Sequence, residues 1–125
     1  MGCLCLNLDI YVLSSSRSYK KIMSFLEEFL PYNIENASEY YIPYLSDNPE
    51  KTFTEVHTFM QYMETAEKEP NAIYWNNLEK DSDIEFATVF YTDDAKMVLG
   101  LSLKESGEEK KLLKNLIILN ILMEF

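Results

Sequence analysis

The first residues of the chain alternate between apolar and polar side chains. Apolar residues fall on one side of the alternation, at Leu4, Leu6, Leu8, Ile10 and Val12. A period of two is the pattern of a β-strand with one buried face, so the sequence predicts a strand over residues 4–12. Cys3 and Cys5 would then be neighbouring reduced thiols on this strand.

Two later segments have apolar residues at helical spacing. The serines at positions 14–16 break the strand and offer an N-cap, and a helix is predicted over about residues 17–30. Its apolar residues are Ile22, Phe25, Leu26 and Phe29, and Pro31 follows its end. A second helix is predicted over residues 53–66. The threonines at its start also allow an extended first turn.

Residues 31–50, between the two predicted helices, are the least regular part of the chain. Prolines, asparagines and Asp47 punctuate this segment. Tyr40, Tyr41, Ile42 and Tyr44 predict at most a short edge strand, because Pro43 is incompatible with a central one.

Three further strands are predicted in the second half, over residues 71–78, 83–91 and 97–103. The short connection over residues 92–96 predicts that the last two strands form an antiparallel hairpin. Gly100 lies in mid-strand, as at a close contact or a bulge. Ser106 and Glu109 form a capping box, which predicts a final apolar helix containing Leu112, Leu116 and Leu119.

This order of elements predicts a single domain over residues 1–125. We expect an α+β fold with an antiparallel sheet of about four to five strands and two to three helices packed mainly on one face. The predicted final helix is apolar on more than one face, so one of its faces could also pack against a second copy of the chain in a homodimer.

Composition narrows the function classes. The chain carries 21 acidic and 11 basic residues, a net charge of −10, which disfavours nucleic acid as a partner. The charge is uneven, because residues 27–94 hold 16 acidic and 3 basic residues. There is no basic, apolar leader and no apolar run of 18 residues, so we expect a cytoplasmic protein without a membrane partner.

Catalytic patterns are weak. His57 is the only histidine and lies in no recognisable motif. Glycine-rich phosphate loops are absent, and no cofactor is expected. Asp81, Asp83 and Glu85 alternate as oxygen ligands of a divalent cation would, but they lie at a predicted turn, where solvated acids are typical, so no metal is expected.

The acidic residues and the tyrosines are better candidates for contacts with a protein. A concentrated negative field speeds association with a cationic partner, and tyrosine is enriched in interfaces. The predicted partner-binding residues are Tyr40, Tyr41, Tyr44, Glu64, Glu67, Glu69, Asp81, Asp83 and Glu85. The same acids are also compatible with a surface that only maintains solubility.

Residues 90–102 have the form F-x-T-D-D-x-K-x-V-L-G-L-S and precede the predicted capped helix. With the small size and the acidity, this resembles the immunity proteins of bacterial polymorphic and contact-dependent toxin systems. The resemblance implies a non-catalytic protein that neutralises a cationic toxin domain by direct contact. Alternatives are a small enzyme or ligand-binding domain using His57 or a carboxylate pair, and a homodimeric structural subunit.

Overall fold

Seven strands and two helices make up the described part of the chain. The computed structural model describes residues 7–104 and Leu119. The strands are β1 (Asn7–Ser14), β2 (Asn33–Glu35), β3 (Tyr40–Ile42), β4 (Lys51–Phe53), β5 (Asn71–Asn77), β6 (Ile84–Tyr91) and β7 (Met97–Lys104). The helices are α1 (Tyr19–Phe29) and α2 (Val56–Thr65).

The main sheet has five antiparallel strands in the order β1-β7-β6-β5-β2. β3 and β4 form a separate two-stranded antiparallel ribbon. The predicted α+β class and the antiparallel pairing of β6 with β7 are therefore confirmed.

The core lies between one face of the sheet and the two helices. Alternate residues of β7 (Met97, Leu99, Leu101 and Leu103) are buried, and Ile73 and Trp75 of β5 face the same layer. The helices contribute the stripes predicted from their spacing: Ile22, Phe25, Leu26 and Phe29 from α1, and Val56, Phe59, Met60 and Met63 from α2. We call this side of the sheet the helical face.

Helix α1 begins later than predicted and is capped by a different serine. Ser18 is the N-cap, and its hydroxyl accepts a hydrogen bond from the Lys21 amide at 3.1 Å. The serines at positions 14–16 were therefore the wrong choice. Ser14 ends β1 instead, and its buried hydroxyl donates to the Ser16 carbonyl.

The irregular segment contains more strand than its sequence predicted. Within it, β2 adds an edge to the main sheet through pairing with β5, and β3 pairs with β4, which directly follows the segment. The short strand expected near Tyr40 exists, but it lies in the ribbon. Lys51–Phe53 is extended, so the extended alternative for the start of the second predicted helix is the correct one.

A register shift in β6 explains why two sets of its residues are buried. Ile84 is buried at one end and Ala87, Val89 and Tyr91 at the other, although a regular strand would place Ile84 and Ala87 on opposite faces. The pairing with β7 shifts between Ile84 and Phe86. This bulge re-aims the start of the strand and leaves Phe86 exposed on the far side of the sheet.

Tyr91 carries a buried hydroxyl for which no hydrogen-bond partner is found within the described residues. Burial raises the pKa of this hydroxyl well above its usual value near 10, against the opposing effect of Arg17. Below the pKa of an unfolded tyrosine, both the folded and the unfolded state keep the hydroxyl proton. Above that pKa the unfolded state loses the proton while the folded state keeps it, so the free energy of unfolding falls as the pH rises.

We therefore expect the free energy of unfolding to fall above about pH 10 by an extra ~1.4 kcal/mol per pH unit owing to Tyr91. Tyr91→Phe should remove this extra slope, and at pH 7 it should be neutral or up to about 1 kcal/mol stabilising. Urea unfolding at pH 7, 10 and 11 measures both effects. Equal alkaline losses in the two proteins would contradict the assignment.

Several sequence predictions lie outside the described residues. These are Cys3 and Cys5, the capping box at Ser106 and Glu109, and the final helix, of which Leu119 alone is described, as helical and exposed. Within the described residues, neither helix has the length and apolarity needed to cross a membrane.

Candidate protein-binding surface

The face of the sheet opposite the helices carries three rows of side chains, which we call the open face. The strand pairing places Leu13, Val98, Phe90 and Ala72 in the first row, and Tyr11, Gly100, Thr88 and Tyr74 in the second. The third row holds Asp9, Ser102, Phe86, Asn76 and Ile34. Among the described residues, Asp9 is the one charged residue of these three rows, and Lys104, which pairs with Asn7 just beyond the third row, adds a positive charge beside Phe86.

Large apolar side chains of this face are accessible. Tyr11 and Leu13 are 57% and 59% exposed, Ile34 is 53% exposed, and Tyr74 and Phe86 are each 40% exposed. Interfaces typically have aromatic residues in an uncharged centre with charges at the rim. The open face therefore has the composition of an interface centre.

Aromatic rings run across the open face from one edge towards the other. The Tyr11 and Phe90 ring centroids lie 6.3 Å apart, and those of Phe90 and Tyr74 lie 5.9 Å apart at nearly a right angle. Gly100 leaves the space that the Tyr11 ring occupies, because a Cβ there would lie 2.9 Å from that ring. The close contact predicted for Gly100 is thus its contact with the Tyr11 ring.

Gly100→Ala is expected to push the Tyr11 ring away from Phe90. Because Tyr11 is exposed and its ring can move, the expected cost in unfolding free energy is below about 1 kcal/mol. Loss of cross-peaks between the Tyr11 and Phe90 rings in NMR measures the displacement. An unmoved Tyr11 ring in the variant would contradict the close contact.

Arg17 joins the end of α2, the segment that follows it and the β6–β7 turn through hydrogen bonds to their carbonyls. Its guanidinium donates from Nη1 to the carbonyls of Met63 (2.8 Å) and Ala66 (2.5 Å), which end α2. Nη2 donates to the carbonyls of Glu69 (2.8 Å) and Thr92, and Nε donates to the carbonyl of Lys96 (3.4 Å). All five N–H groups of a single side chain that is 8% exposed are used.

This arrangement collects acidic side chains at the end of the sheet that carries the β6–β7 turn, where Glu64 belongs to α2 and therefore to the helical face. The Ala95 amide donates to the Glu67 carbonyl at 2.9 Å, so the β6–β7 turn and the end of α2 are held together. Glu67, Glu69 and Asp94 all lie close enough to Arg17 to oppose the lowering of its pKa by burial. We call Glu64, Glu67, Glu69, Asp93 and Asp94 the α2-end acids.

Glu64 has a structural role besides its charge. Its carboxylate accepts a hydrogen bond from the Tyr19 amide at 2.5 Å, at the first residue of α1. A carboxylate at a helix N-terminus satisfies a free amide and complements the helix dipole. Its substitution therefore reports on folding as well as on binding.

A second set of acids lies at the opposite end of the open face, in and beside the β5–β6 turn. We call Glu79, Asp81, Asp83 and Glu85 the β5–β6 acids. Eight residues of β6 separate the two ends, a distance of about 27 Å. The structure therefore does not bring the two predicted acidic sets into one site, and they bracket the face between them.

The three predicted tyrosines occupy different environments. Tyr40 is 5% exposed, stacks on Phe59 with ring centroids 4.7 Å apart, and donates its hydroxyl to Glu35 at 2.6 Å. Its side chain thus belongs mainly to the core and offers little surface to a partner. Tyr44 is 40% exposed and Tyr41 half-buried, and both line a groove beside Tyr74 at the edge of the open face.

The open face itself was missed at the sequence level. Its residues are the alternate positions of each strand that point away from the core, and many of these positions are polar. The large apolar residues among them are Tyr11, Leu13, Tyr74, Phe86 and Phe90. That excess of aromatic residues on the supposedly wet side of the strands was the available signal. Arg17 was also missed, although it is the only arginine of the chain.

His57, the candidate general acid or base, is exposed on α2. Its Nδ1 lies 2.9 Å from the Tyr19 hydroxyl, and the two rings meet edge to face. Among the described residues, no group of three His, Cys, Asp or Glu side chains is arranged to hold a metal ion, and this includes Asp81, Asp83 and Glu85.

No protein-family model, no curated protein and no solved structure matches the chain.

Proposed function

We propose that this chain is a non-catalytic binding protein that neutralises a cationic protein, in the manner of a bacterial immunity protein acting on a toxin domain. The observation that carries the proposal is the open face, an aromatic surface with the α2-end acids at one end and the β5–β6 acids at the other. The partner it fits has an apolar centre and basic groups at two separate positions.

Size supports the participation of both acidic ends. Five strands and three rows of side chains give the open face a footprint of roughly 500 Å². A stable interface typically takes about 800 Å² from each partner. The open face alone is too small, so the partner would also have to contact the surrounding acids and the groove beside Tyr74.

Charge at the rim is expected to act through the association rate. Asp93→Lys and Asp81→Lys, each at one end of the face, should each slow association with a basic partner by about 3- to 10-fold at low salt. The dissociation rate should change less. Stopped-flow measurements at 20 and 300 mM salt test this, because screening should reduce the difference at high salt.

Glu27→Lys is the matched control, since it makes the same charge change at an exposed position on α1, away from the open face. Its association rate should stay within about twofold of the parent. Equal slowing by all three variants would contradict steering by the two ends. It would mean that the association rate depends only on the net charge of the protein.

The rival proposal is an enzyme that uses His57. Its support is the Tyr19–His57 pair, in which a hydroxyl can set the tautomer of the ring. For a binding protein we expect His57→Ala to leave partner affinity within about twofold, because His57 lies on the helical layer and not on the open face. Loss of function in this variant with unchanged thermal stability would favour the enzyme.

A homodimeric subunit is the third alternative, in which a second copy covers the open face. Sedimentation equilibrium separates the two cases. A monomer at micromolar concentration fits a face kept accessible for another protein, whereas a dimer abolished by Tyr74→Ala would identify the second copy as the occupant.

A further inference from the structure

The groove beside Tyr74 has a chemistry of its own. It has a volume of about 490 Å³ and lies between β5 on one side and, on the other, the β2–β3 connection, β3 and the start of the β3–β4 connection. That volume is within the range of small-ligand sites, at about 300–1,000 Å³. Tyr41, Tyr44 and Tyr74 contribute aromatic surface, and Glu39 contributes a carboxylate. We call this the tyrosine groove.

The lining is complementary to a cation. Among the described residues that line the groove there is no lysine or arginine, and Glu39 is the one charged group. The Glu39 carboxylate accepts the Tyr41 hydroxyl through Oε2 at 2.6 Å, and no hydrogen bond to its Oε1 is found among the described residues. A carboxylate accepts up to about four hydrogen bonds, so Glu39 has capacity for a donor from outside.

Two residues shape the groove. Ala72 of β5 is small and buried, so the strand leaves room between Tyr74 and the β3–β4 connection. Leu45 lies at the rim with a positive φ of 56° and is 73% exposed. A leucine in this conformation is strained by about 1–2 kcal/mol.

We infer that the tyrosine groove binds a cationic side chain of the partner, an arginine in preference to a lysine. The planar guanidinium stacks on tyrosine rings while its N–H groups donate to the Glu39 carboxylate. The inference rests on the proposed function only in taking the cation from a protein, since the groove itself is tested without any partner.

The test uses the intact chain and three blocked tripeptides, glycine-X-glycine, in which X is arginine, lysine or the neutral arginine analogue citrulline. With ¹³C-labelled tyrosine, NMR titration should show the arginine peptide shifting Tyr41, Tyr44 and Tyr74 with a dissociation constant of roughly 1–10 mM. Citrulline should bind about tenfold more weakly, and lysine should fall between them.

Glu39→Gln should weaken the arginine peptide about fivefold without changing the fold, because it removes the charge and keeps the shape. Glu27→Gln on α1 is the matched control and should leave the affinity unchanged. Equal binding of arginine and citrulline, or an unaltered affinity in Glu39→Gln, would overturn the inference.

Failure here is distinguishable from failure of the proposed function. A chain that loses partner binding when the open face is altered, but ignores the arginine peptide, keeps the proposed function and loses the groove. In the reverse result, the arginine peptide binds but changes in the open face do not affect partner binding. That result supports the inference about the groove and contradicts the proposed function.

Discussion

Replacing Arg17 by methionine is expected to destabilise the protein by about 3–5 kcal/mol, a fall in melting temperature of roughly 10–20 °C. Methionine retains much of the side-chain volume but donates to none of the five carbonyls that Arg17 joins. The end of α2, the segment that follows it and the β6–β7 turn would lose their shared partner. The guanidinium also lies 5.1 Å from the centre of the Tyr91 ring, a contact that methionine keeps only in part.

Arg17→Lys separates charge from geometry. Lysine keeps the positive charge at the α2 C-terminus but reaches fewer carbonyls from one point, so about half of the loss should remain. Lys20→Met, at an exposed position of α1, should change stability by less than about 0.5 kcal/mol. Denaturant unfolding of the three variants measures the effect, and an Arg17→Met protein within 1 kcal/mol of the parent would refute the central role of Arg17.

The largest expected effect on binding is that of truncating the open face. Tyr74→Ala combined with Phe86→Ala should weaken a partner complex at least 100-fold, mainly through faster dissociation. Both rings are partly exposed, and they lie in the second and third rows of the face. Aromatic residues in the uncharged centre of an interface contribute about 2 kcal/mol or more each when truncated.

The double variant must remain folded for this result to count. Both side chains are 40% exposed, so the expected cost to unfolding free energy is about 1–2 kcal/mol, mainly from the contact of Tyr74 with Phe90. Circular dichroism and denaturant unfolding check this before binding is measured. A folded double variant with the parent's affinity would show that the partner does not use the open face.

Periodicity in the sequence predicted most of the main sheet and both described helices. The alternation in β1, β6 and β7 and the spacing in α1 and α2 are long enough to identify each element and its buried side. The short strands β2 and β4 were not predictable, because three residues carry no period and their pairing depends on distant partners. The observed N-cap, Ser18, was not predicted because four serines lie within five positions, and each is a suitable cap.

The candidate site was harder to predict for a related reason. Alternation indicates that a strand has two faces, but it does not say that neither described helix covers the second face of the five strands. That depends on where both helices pack. Acidic residues were visible as a concentration in sequence, whereas their division between two ends about 27 Å apart follows from the direction of β6. Arg17 binds backbone carbonyls, and such partners leave no pattern in the side-chain sequence.

Binding of a cationic protein through the open face is tested by the affinity for a basic protein domain encoded beside this chain's gene. Surface plasmon resonance would compare the parent, the Tyr74→Ala, Phe86→Ala double variant and His57→Ala. We expect nanomolar binding by the parent and by His57→Ala, and a loss of at least 100-fold in the double variant. Unchanged affinity in the folded double variant, or no neighbouring basic domain that the parent binds, would contradict it.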